Sequence, residues 1–267
     1  MDSKKFSIHQ KLINELLGRF SVINIYGKSG MGKSTYGLQL LKFFLEPSIS
    51  VAKSKIQMHF KSESIYKHPE MEELEVNEVM AYAIWIQASE LFSKNRFITL
   101  FKDQPNAFDY MQNHTLILPK GTCKDYYQMS ILLNKLSGQE MVLPPNIAVI
   151  VIDNISHHLR FEIGKVEDVQ LTVSLLDDFF DSVMMPLFFF CGSQKIKLVL
   201  IHEVSYNPKQ NKTIMFNHNL FGNIKAFNIE LVQETNIKQK VINYHFYDRT
   251  ASFRYELTSK GLHILFR

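Results

Sequence analysis

The chain has 267 residues and a net charge of +4, and 46% of its residues are hydrophobic. This length fits one large domain or two small ones, and the apolar fraction excludes a disordered chain, as 11 Gly and 8 Pro exclude a collagen-like one. Two cysteines, Cys123 and Cys191, cannot form a disulfide framework or a four-thiolate zinc site. Since no apolar run approaches the roughly 18 residues that span a bilayer, we expect a soluble protein in a reducing compartment.

The positive charge is concentrated in the last third of the chain. Residues 191–267 carry 11 Lys and Arg against 5 Asp and Glu, whereas residues 1–190 carry 19 against 21. A basic region of this kind permits an anionic partner such as nucleic acid. A solvated lysine surface explains the same charge, and charge alone favours that plainer interpretation.

Hydrophobic periodicity predicts that strands and helices alternate along the chain. The apolar run 147–152 is unbroken and β-branched, as expected of a strand that is buried on both faces. One helix is predicted from residue 33 to 45, where Pro47 ends it, and another over 169–183, where Pro186 ends it. The other predicted elements are a helix at 126–136 and strands at 21–26, 81–88, 115–118, 196–201, 227–232, 241–247 and 253–257.

These elements predict one α/β domain over residues 1–267, without internal repeats. The alternation indicates a mostly parallel sheet with right-handed crossovers, and the C-terminal strands add antiparallel pairs at one edge. Residues 49–79 are polar and mixed, so we interpret them as an irregular insertion. The insertion ends in an acidic patch formed by Glu70, Glu72, Glu73, Glu75 and Glu78.

The loop between the first predicted strand and helix carries the clearest chemical motif. Residues 27–34 fit G-x-x-x-x-G-K-[ST], the phosphate-binding P-loop, and Thr35 extends it. Glycines let the loop aim backbone N–H groups at phosphate oxygens, and the helix points its positive end at them. We expect Lys33 to reach the β- and γ-phosphates and the Ser34 hydroxyl to bind Mg²⁺. The predicted nucleotide-binding residues are Gly27, Lys28, Ser29, Gly30, Met31, Gly32, Lys33, Ser34 and Thr35.

Asp153 is the predicted second magnesium ligand. It ends the buried strand 147–152, at the edge of the sheet where a P-loop also lies, and this is the Walker-B arrangement. An Asp at the end of a strand is common as a turn residue, but its pairing with a P-loop favours the Mg²⁺ role. His157 and His158 are adjacent in sequence and therefore diverge, which makes them a poor pair of metal ligands.

Several segments together resemble the RecA/RadA recombinase family, and within it the eukaryotic recombinase paralogues that act as recombination mediators. They resemble the family's P-loop and helix, its strand-plus-glutamate segment, its Walker-B strand, its later strand ending in Asn-Gln, and its C-terminal strand and turn. The matches run in family order over most of the chain. The matching segments are residues 23–41, 85–92 with Arg96 following, 151–160, 198–204 and 251–261.

Three departures from the family pattern bear on function. An ungapped match places Ser89 where the family has its catalytic glutamate, and a one-residue shift in a strand would turn Glu90 away from the attacking water. His202 and Glu203 stand where the family has an Asn-Gln γ-phosphate sensor, and a carboxylate there would repel the phosphate unless it is turned away or protonated. The family's helical DNA-binding domain has no counterpart in residues 1–20. We therefore expect ATP binding with weak or no hydrolysis, and Glu90 is the candidate catalytic residue.

The resemblance also implies a DNA-contacting loop after the strand 198–204. This loop would be residues 205–223, with Lys209 and Lys212 as phosphate contacts and Phe216 as a stacking residue. An ordinary exposed loop explains the same residues equally well.

The function that the resemblance implies is that of an ATP-binding recombinase paralogue in homologous recombination and DNA double-strand break repair. Such a protein would use ATP and Mg²⁺, bind single-stranded DNA, and assist filament assembly with other recombinase subunits in the nucleus. Two alternatives remain open. One is a P-loop small-molecule kinase, for which the sequence shows no arginine-rich lid and no acceptor pocket, and the other is a structural subunit that binds no nucleotide.

Overall fold

A computed structural model of the chain describes residues 3–62, 80–209, 211–234 and 239–266. A nine-stranded sheet forms the centre of the described part, and one hydrophobic core lies on each of its faces. Among the described helices, none combines the length and apolar character that a membrane span requires.

The bounds of the elements are as follows. The strands are β1 Val22–Gly27, β2 Tyr82–Gln87, β3 Thr115–Leu118, β4 Ile147–Asp153, β5 Lys197–His202, β6 Val204–Asn207, β7 Lys212–Met215, β8 Ala226–Gln233, β9 Lys240–Phe246, β10 Arg249–Thr258 and β11 Gly261–Leu265. The helices are α1 Ser3–Arg19, α2 Lys33–Ser62, α3 Lys94–Phe101, α4 Pro105–His114, α5 Tyr126–Ser137, α6 His157–Ile163, α7 Val169–Phe179, α8 Met185–Ser193 and α9 His218–Phe221, with a π-helical turn at Phe180–Met184 between α7 and α8.

The sheet has the strand order β11-β10-β9-β8-β1-β5-β4-β2-β3. The six strands from β8 to β3 run parallel, whereas β9, β10 and β11 add antiparallel pairs at one edge. This confirms the predicted α/β fold with a mostly parallel sheet and antiparallel C-terminal strands. The hairpin β6–β7 forms a separate small sheet.

Burial of both faces explains why the central strands are almost continuously apolar. In β1, Ile23 and Ile25 join the core formed with α1 and α2, whereas Val22 joins the core formed with α5 and α8. Parallel strands end at the same edge, and β5 alone separates β1 from β4. The sheet therefore brings the loop after Gly27 close to Asp153.

Helix α2 is longer than the sequence predicts. It runs for 30 residues to Ser62 and contains Pro47, so the predicted end at residue 45 is wrong and residues 49–62 are helical. Proline removes one backbone hydrogen bond from a helix interior, but Leu45 and Ile49 on either side of it are both buried in the core. Their packing outweighs the local cost of the proline. Residues 63–79, with the acidic patch, lie outside the described residues.

The second proline also fails to end a helix where we predicted it. Pro186 lies in the first turn of α8, directly after the π-helical turn, where Met185 donates its backbone N–H to the carbonyl oxygen of Phe180. The helical path of α7 therefore continues through the π-helical turn into α8. The predicted helix over 169–183 is only partly buried, because Val169 and Val173 are exposed while Val183 lies in the core.

Periodicity missed the helices α1, α3, α4, α6, α8 and α9 and the strands β6, β7 and β11. The long N-terminal helix α1 is anchored to the sheet by Lys197 of β5. Lys197 is the one charged residue in that strand. The Lys197 ammonium donates to the carbonyl oxygens of Gly18 and Phe20 at 2.7 and 2.8 Å. A cation at these carbonyls stabilises the C-terminal end of the helix.

Candidate functional site

The loop between β1 and α2 has the backbone that a phosphate cradle needs. A Cβ at Gly27 would lie 2.3 Å from the carbonyl oxygen of Leu231 in β8, so only glycine fits there. Gly32 has φ +94°, which is a conformation that L side chains rarely adopt. The conformation of the loop therefore requires glycine at both of these positions.

The Lys33 side chain curls back into the loop. Its ammonium donates to the carbonyl oxygens of Gly27 at 2.9 Å and Lys28 at 3.2 Å. Burial lowers the pKa of Lys33, and the negative charges of Asp153, Glu203 and Glu90 only partly oppose this. A half-buried ammonium held by carbonyl oxygens is available to an anion that enters the loop.

Asp153 and Ser34 meet beneath the loop, as the sequence predicts. Burial raises the pKa of Asp153 to about 6, and the charge of Glu90 adds to this, whereas a hydrogen bond from the Ser34 hydroxyl and the charge of Lys33 oppose it. The peptide bond between Asp153 and Asn154 is cis. One hydroxyl and one buried carboxylate suit Mg²⁺, which keeps several waters and takes its other ligands from phosphates.

A cleft of about 510 Å³ lies over the loop. Eight of the nine predicted nucleotide-binding residues line it, and the exception is Met31, which is buried. The other walls of the cleft are Glu90, Asp153, Asn154, Arg160, Glu203, Val204 and Leu257.

Glu90 lies in the cleft, contrary to the orientation that we expected from strand alternation. The strand β2 ends at Gln87, so alternation no longer decides where residues 89 and 90 point. Glu90 is exposed and its charge acts on both Lys33 and Asp153. The hydroxyl of Ser89 is buried, and within the described residues it has no hydrogen-bond partner. Of this pair, Glu90 is thus the side chain that can act on a ligand in the cleft.

The C-terminal strands hold the loop in place through hydrogen bonds, and sequence reasoning missed these contacts. The buried Tyr255 hydroxyl of β10 donates to the carbonyl oxygen of Met31 at 2.9 Å. Arg96 of α3 donates to the Thr35 hydroxyl at 3.1 Å and to the carbonyl oxygen of Thr258 at 2.8 Å. Thr35 lines the cleft, but its hydroxyl is engaged by Arg96. The family pattern signalled Arg96, and no local pattern signalled Tyr255.

His202, at the end of β5, is a core residue and not a ligand-binding one. It is fully buried, and burial lowers its pKa to about 3. Its Nε2 lies 3.2 Å from the Oδ1 of Asn24, whose amide donates to Asn228 at 2.7 Å. The neutral imidazole therefore closes a row of polar side chains across β8, β1 and β5.

Glu203 lies in the wall of the cleft and is held there in ionised form by its neighbours. Burial alone would raise its pKa, but hydrogen bonds from His157, Asn154 and Arg160 outweigh it, so that the net shift is downward. The distances to its carboxylate oxygens are 2.8 Å from His157 Nδ1, 3.5 Å from Asn154 Nδ2 and 3.2 Å from Arg160 Nη1. The sequence left two possibilities for this carboxylate, turned away or protonated, and the structure shows neither: it lines the cleft in ionised form, and its charge acts on Lys33.

His157 and His158 diverge as predicted. His157 reaches Glu203, whereas His158 is buried and bonds to the carbonyl oxygen of Ala88 at 2.8 Å. Across the described ranges, no group of three or more His, Cys, Asp or Glu side chains could hold a metal ion.

The segment predicted to contact DNA forms the hairpin β6–β7 and the short helix α9. Lys209 and Lys212 are exposed on the hairpin, where a phosphate backbone can reach them. Phe216 is half-buried, and the guanidinium of Arg160 covers its ring at 5.4 Å from the centroid. Tyr206, 63% exposed on β6, is an aromatic side chain of this hairpin that sequence reasoning missed.

The parallel sheet, the glycine-bounded loop and the acid beneath it together define a P-loop α/β core. No family model matches the sequence, and no curated protein matches it. Among the solved structures that match is a crystal structure of the RadB recombinase, with a TM-score of 0.59 over 94% of this chain and 94% of that one. The two sequences are 15% identical. This similarity shows that the chain has the RecA-like fold.

Proposed function

We propose that the chain is a member of the RecA/RadA family that binds ATP with Mg²⁺ in the cleft over residues 27–35. The observation that carries the proposal is that Lys33 and Asp153 meet at one site. The Lys33 ammonium bonds to the Gly27 carbonyl oxygen inside the loop, and Asp153 accepts a hydrogen bond from Ser34. These groups supply a cation for the phosphates and an oxygen pair for the metal. The RadB-like fold supports the same assignment.

Nucleotide binding is built mainly from the loop's own backbone. The loop leads directly into the N-terminal end of α2 at Lys33, where the first N–H groups of the helix and its dipole favour negative charge. Lys33 would exchange its two carbonyl partners for phosphate oxygens, and Ser34 and Asp153 would hold Mg²⁺. The bound metal would neutralise phosphate charge and would also lower the raised pKa of Asp153.

Glu90 is the group available to orient a water molecule for hydrolysis. Because Glu90 lines the cleft, strand alternation no longer argues against hydrolysis. The slow turnover that the sequence predicts stays a prediction. A carboxylate near the terminal phosphate can accept a proton from water. Turnover measured with Glu90→Gln, and with exposed Glu140→Gln as a matched control, tests this role.

The biological role that we propose is in homologous recombination and DNA double-strand break repair. In it, the chain would assist assembly of a recombinase filament on single-stranded DNA, together with other recombinase subunits in the nucleus. The exposed Lys209 and Lys212 beside Tyr206 support a contact with single-stranded nucleic acid, since lysines reach phosphates and aromatic rings stack on bases.

The experiment that tests this role measures binding to fluorescent single-stranded DNA across a salt series, with and without Mg·ATP. We expect affinity that falls with salt and rises with nucleotide. Co-purification with a recombinase would support filament assembly. Nucleotide binding without any DNA affinity, together with phosphoryl transfer to a small molecule, would favour the kinase instead.

A further inference from the structure

Arg160 joins three parts of the site. Its Nη1 donates to the Glu203 carboxylate at 3.2 Å and to the carbonyl oxygen of Val204, the first residue of the hairpin, at 3.1 Å. Its guanidinium also covers the ring of Phe216, just after the hairpin. Arg160 and Glu203 are partly exposed, at 47% and 27%, and both line the cleft.

The terminal phosphate of a bound nucleotide needs a cation beyond the loop. Glu203 cannot serve, because its carboxylate is ionised and repels phosphate. Of the cations that line the cleft in the described ranges, Lys28 and Lys33 belong to the loop itself. Arg160 comes from α6, which follows β4, and its guanidinium lies beside the end of β5, where it bonds to Glu203 and Val204 and lines the cleft.

We propose that Arg160 discriminates nucleoside triphosphates from diphosphates, with Glu203 as its partner in the nucleotide-free protein. The inference rests on the proposed nucleotide function of the cleft and names the residue that reads the third phosphate. A guanidinium binds phosphate with paired hydrogen bonds, and a phosphate of higher charge competes well with one carboxylate.

The surroundings of Glu203 make this exchange possible. When Arg160 leaves, the carboxylate keeps His157 at 2.8 Å and Asn154 at 3.5 Å, so it is not left without a partner. The pair that must break is partly exposed to water, and such pairs are weak. The carboxylate thus holds Arg160 in place without competing strongly against a phosphate.

The same exchange would change the contacts at the base of the hairpin β6–β7. Phe216 donates its backbone N–H to the carbonyl oxygen of Glu203 at 2.9 Å, which closes the base of the hairpin. Movement of Arg160 toward a phosphate would break its bond to Val204 and uncover the ring of Phe216. The position of the hairpin that carries Lys209 and Lys212 would then depend on the third phosphate.

The test compares the affinities of ADP and a non-hydrolysable ATP analogue, both with Mg²⁺, by titration calorimetry. In the unmodified protein the triphosphate should bind more tightly. Arg160→Ala should reduce this preference by about tenfold and leave ADP affinity unchanged, since hydrogen bonds to charged groups are of that strength. Arg160→Lys should retain part of the preference, and Glu203→Gln should increase it by weakening the competing pair.

The matched control is Lys165→Ala, which removes a cation paired with Glu162 at 2.7 Å, just after α6 and outside the cleft. A second readout is tryptic cleavage after Lys209 and Lys212, followed by mass spectrometry. The triphosphate, but not ADP, should change this cleavage in the unmodified protein and in Lys165→Ala, and not in Arg160→Ala.

Two results would overturn the inference. If Arg160→Ala folds, binds both nucleotides and keeps the full triphosphate preference, Arg160 does not read the third phosphate, while the proposed nucleotide function stands. If the unmodified protein binds neither nucleotide, the proposed function itself fails, and this inference fails with it.

Discussion

The Ser34 hydroxyl donates a hydrogen bond to the buried Asp153 carboxylate and so joins the first turn of α2 to the end of β4. The two residues are far apart in sequence, and the parallel sheet brings them together because β1 and β4 flank β5. This contact is the geometric basis for the magnesium site that we propose at the loop. Its energetic consequence can be measured without any ligand.

We expect Asp153→Asn to stabilise the nucleotide-free protein at neutral pH. The pKa of Asp153 is about 6 in the folded protein and 3.8 in its ordinary state, so the folded state holds more protons between these values. Stability therefore falls as pH rises through this window and stays lower above it, by up to about 3 kcal/mol. The neutral amide removes this loss and can still accept from Ser34. Urea unfolding at pH 4 to 7 measures the difference.

The control for this experiment is Asp109→Asn, which alters an exposed acid on α4. It should leave the pH dependence unchanged. If the stability curves of Asp153→Asn and the unmodified protein run parallel between pH 4 and 7, the carboxylate is not destabilised by burial.

We expect Tyr255→Phe to destabilise the loop, because it removes a hydrogen bond from β10 to the loop. The lost hydroxyl leaves the carbonyl of Met31 without the 2.9 Å hydrogen bond that it accepts in a buried place. A cost of about 1–2 kcal/mol in the free energy of unfolding follows, with a several-fold loss of nucleotide affinity. Tyr127→Phe, at a side chain that is 61% exposed on α5, is the matched control and should be neutral. Equal stability of the two variants would contradict the support role.

We expect Gly27→Ala to be severely destabilising and Gly18→Ala to be harmless. A Cβ at Gly27 would meet the backbone oxygen of Leu231 at 2.3 Å, and β8 must move to admit it, at a cost of about 3 kcal/mol or more. At Gly18, within α1, a Cβ would meet nothing within 4 Å, and alanine should stabilise by about 0.5–1 kcal/mol. Thermal unfolding of both variants checks this, and a fully stable Gly27→Ala protein would contradict the loop geometry.

We expect Lys209→Gln and Lys212→Gln to weaken binding to single-stranded DNA. Each removes one phosphate contact, so each should reduce the slope of log affinity against log salt by about 1. Lys124→Gln, at an exposed lysine before α5, is the control. Unchanged slopes in both hairpin variants would mean that the segment is an ordinary exposed loop.

The regular parts of the fold were predictable because burial leaves a strong pattern in the sequence. The strand at 115–118 was predicted with its observed bounds, and the run 147–152 matches β4 to one residue. The two helix ends that we predicted from prolines were wrong. Residue 47 lies between side chains buried in the core, and Pro186 lies in the first turn of α8. Packing and position decided both cases, and local preference did not.

The candidate site was predictable where one local motif carries the chemistry. The loop residues and Asp153 lie where the motif and the strand place them. The hydrogen bond from Tyr255 to Met31 joins residues 224 positions apart, and no local pattern reveals it. Glu90 was misjudged because strand alternation was extended beyond Gln87, where the strand ends.

The central claim is that the cleft binds Mg·ATP through Lys33, and a calorimetric titration tests it most directly. The unmodified protein should bind ATP with an affinity that falls when Mg²⁺ is chelated, and Lys33→Ala should lose most of this binding while remaining folded by circular dichroism. Equal ATP affinity in the two folded proteins, or no ATP binding by the unmodified one, would contradict the assignment.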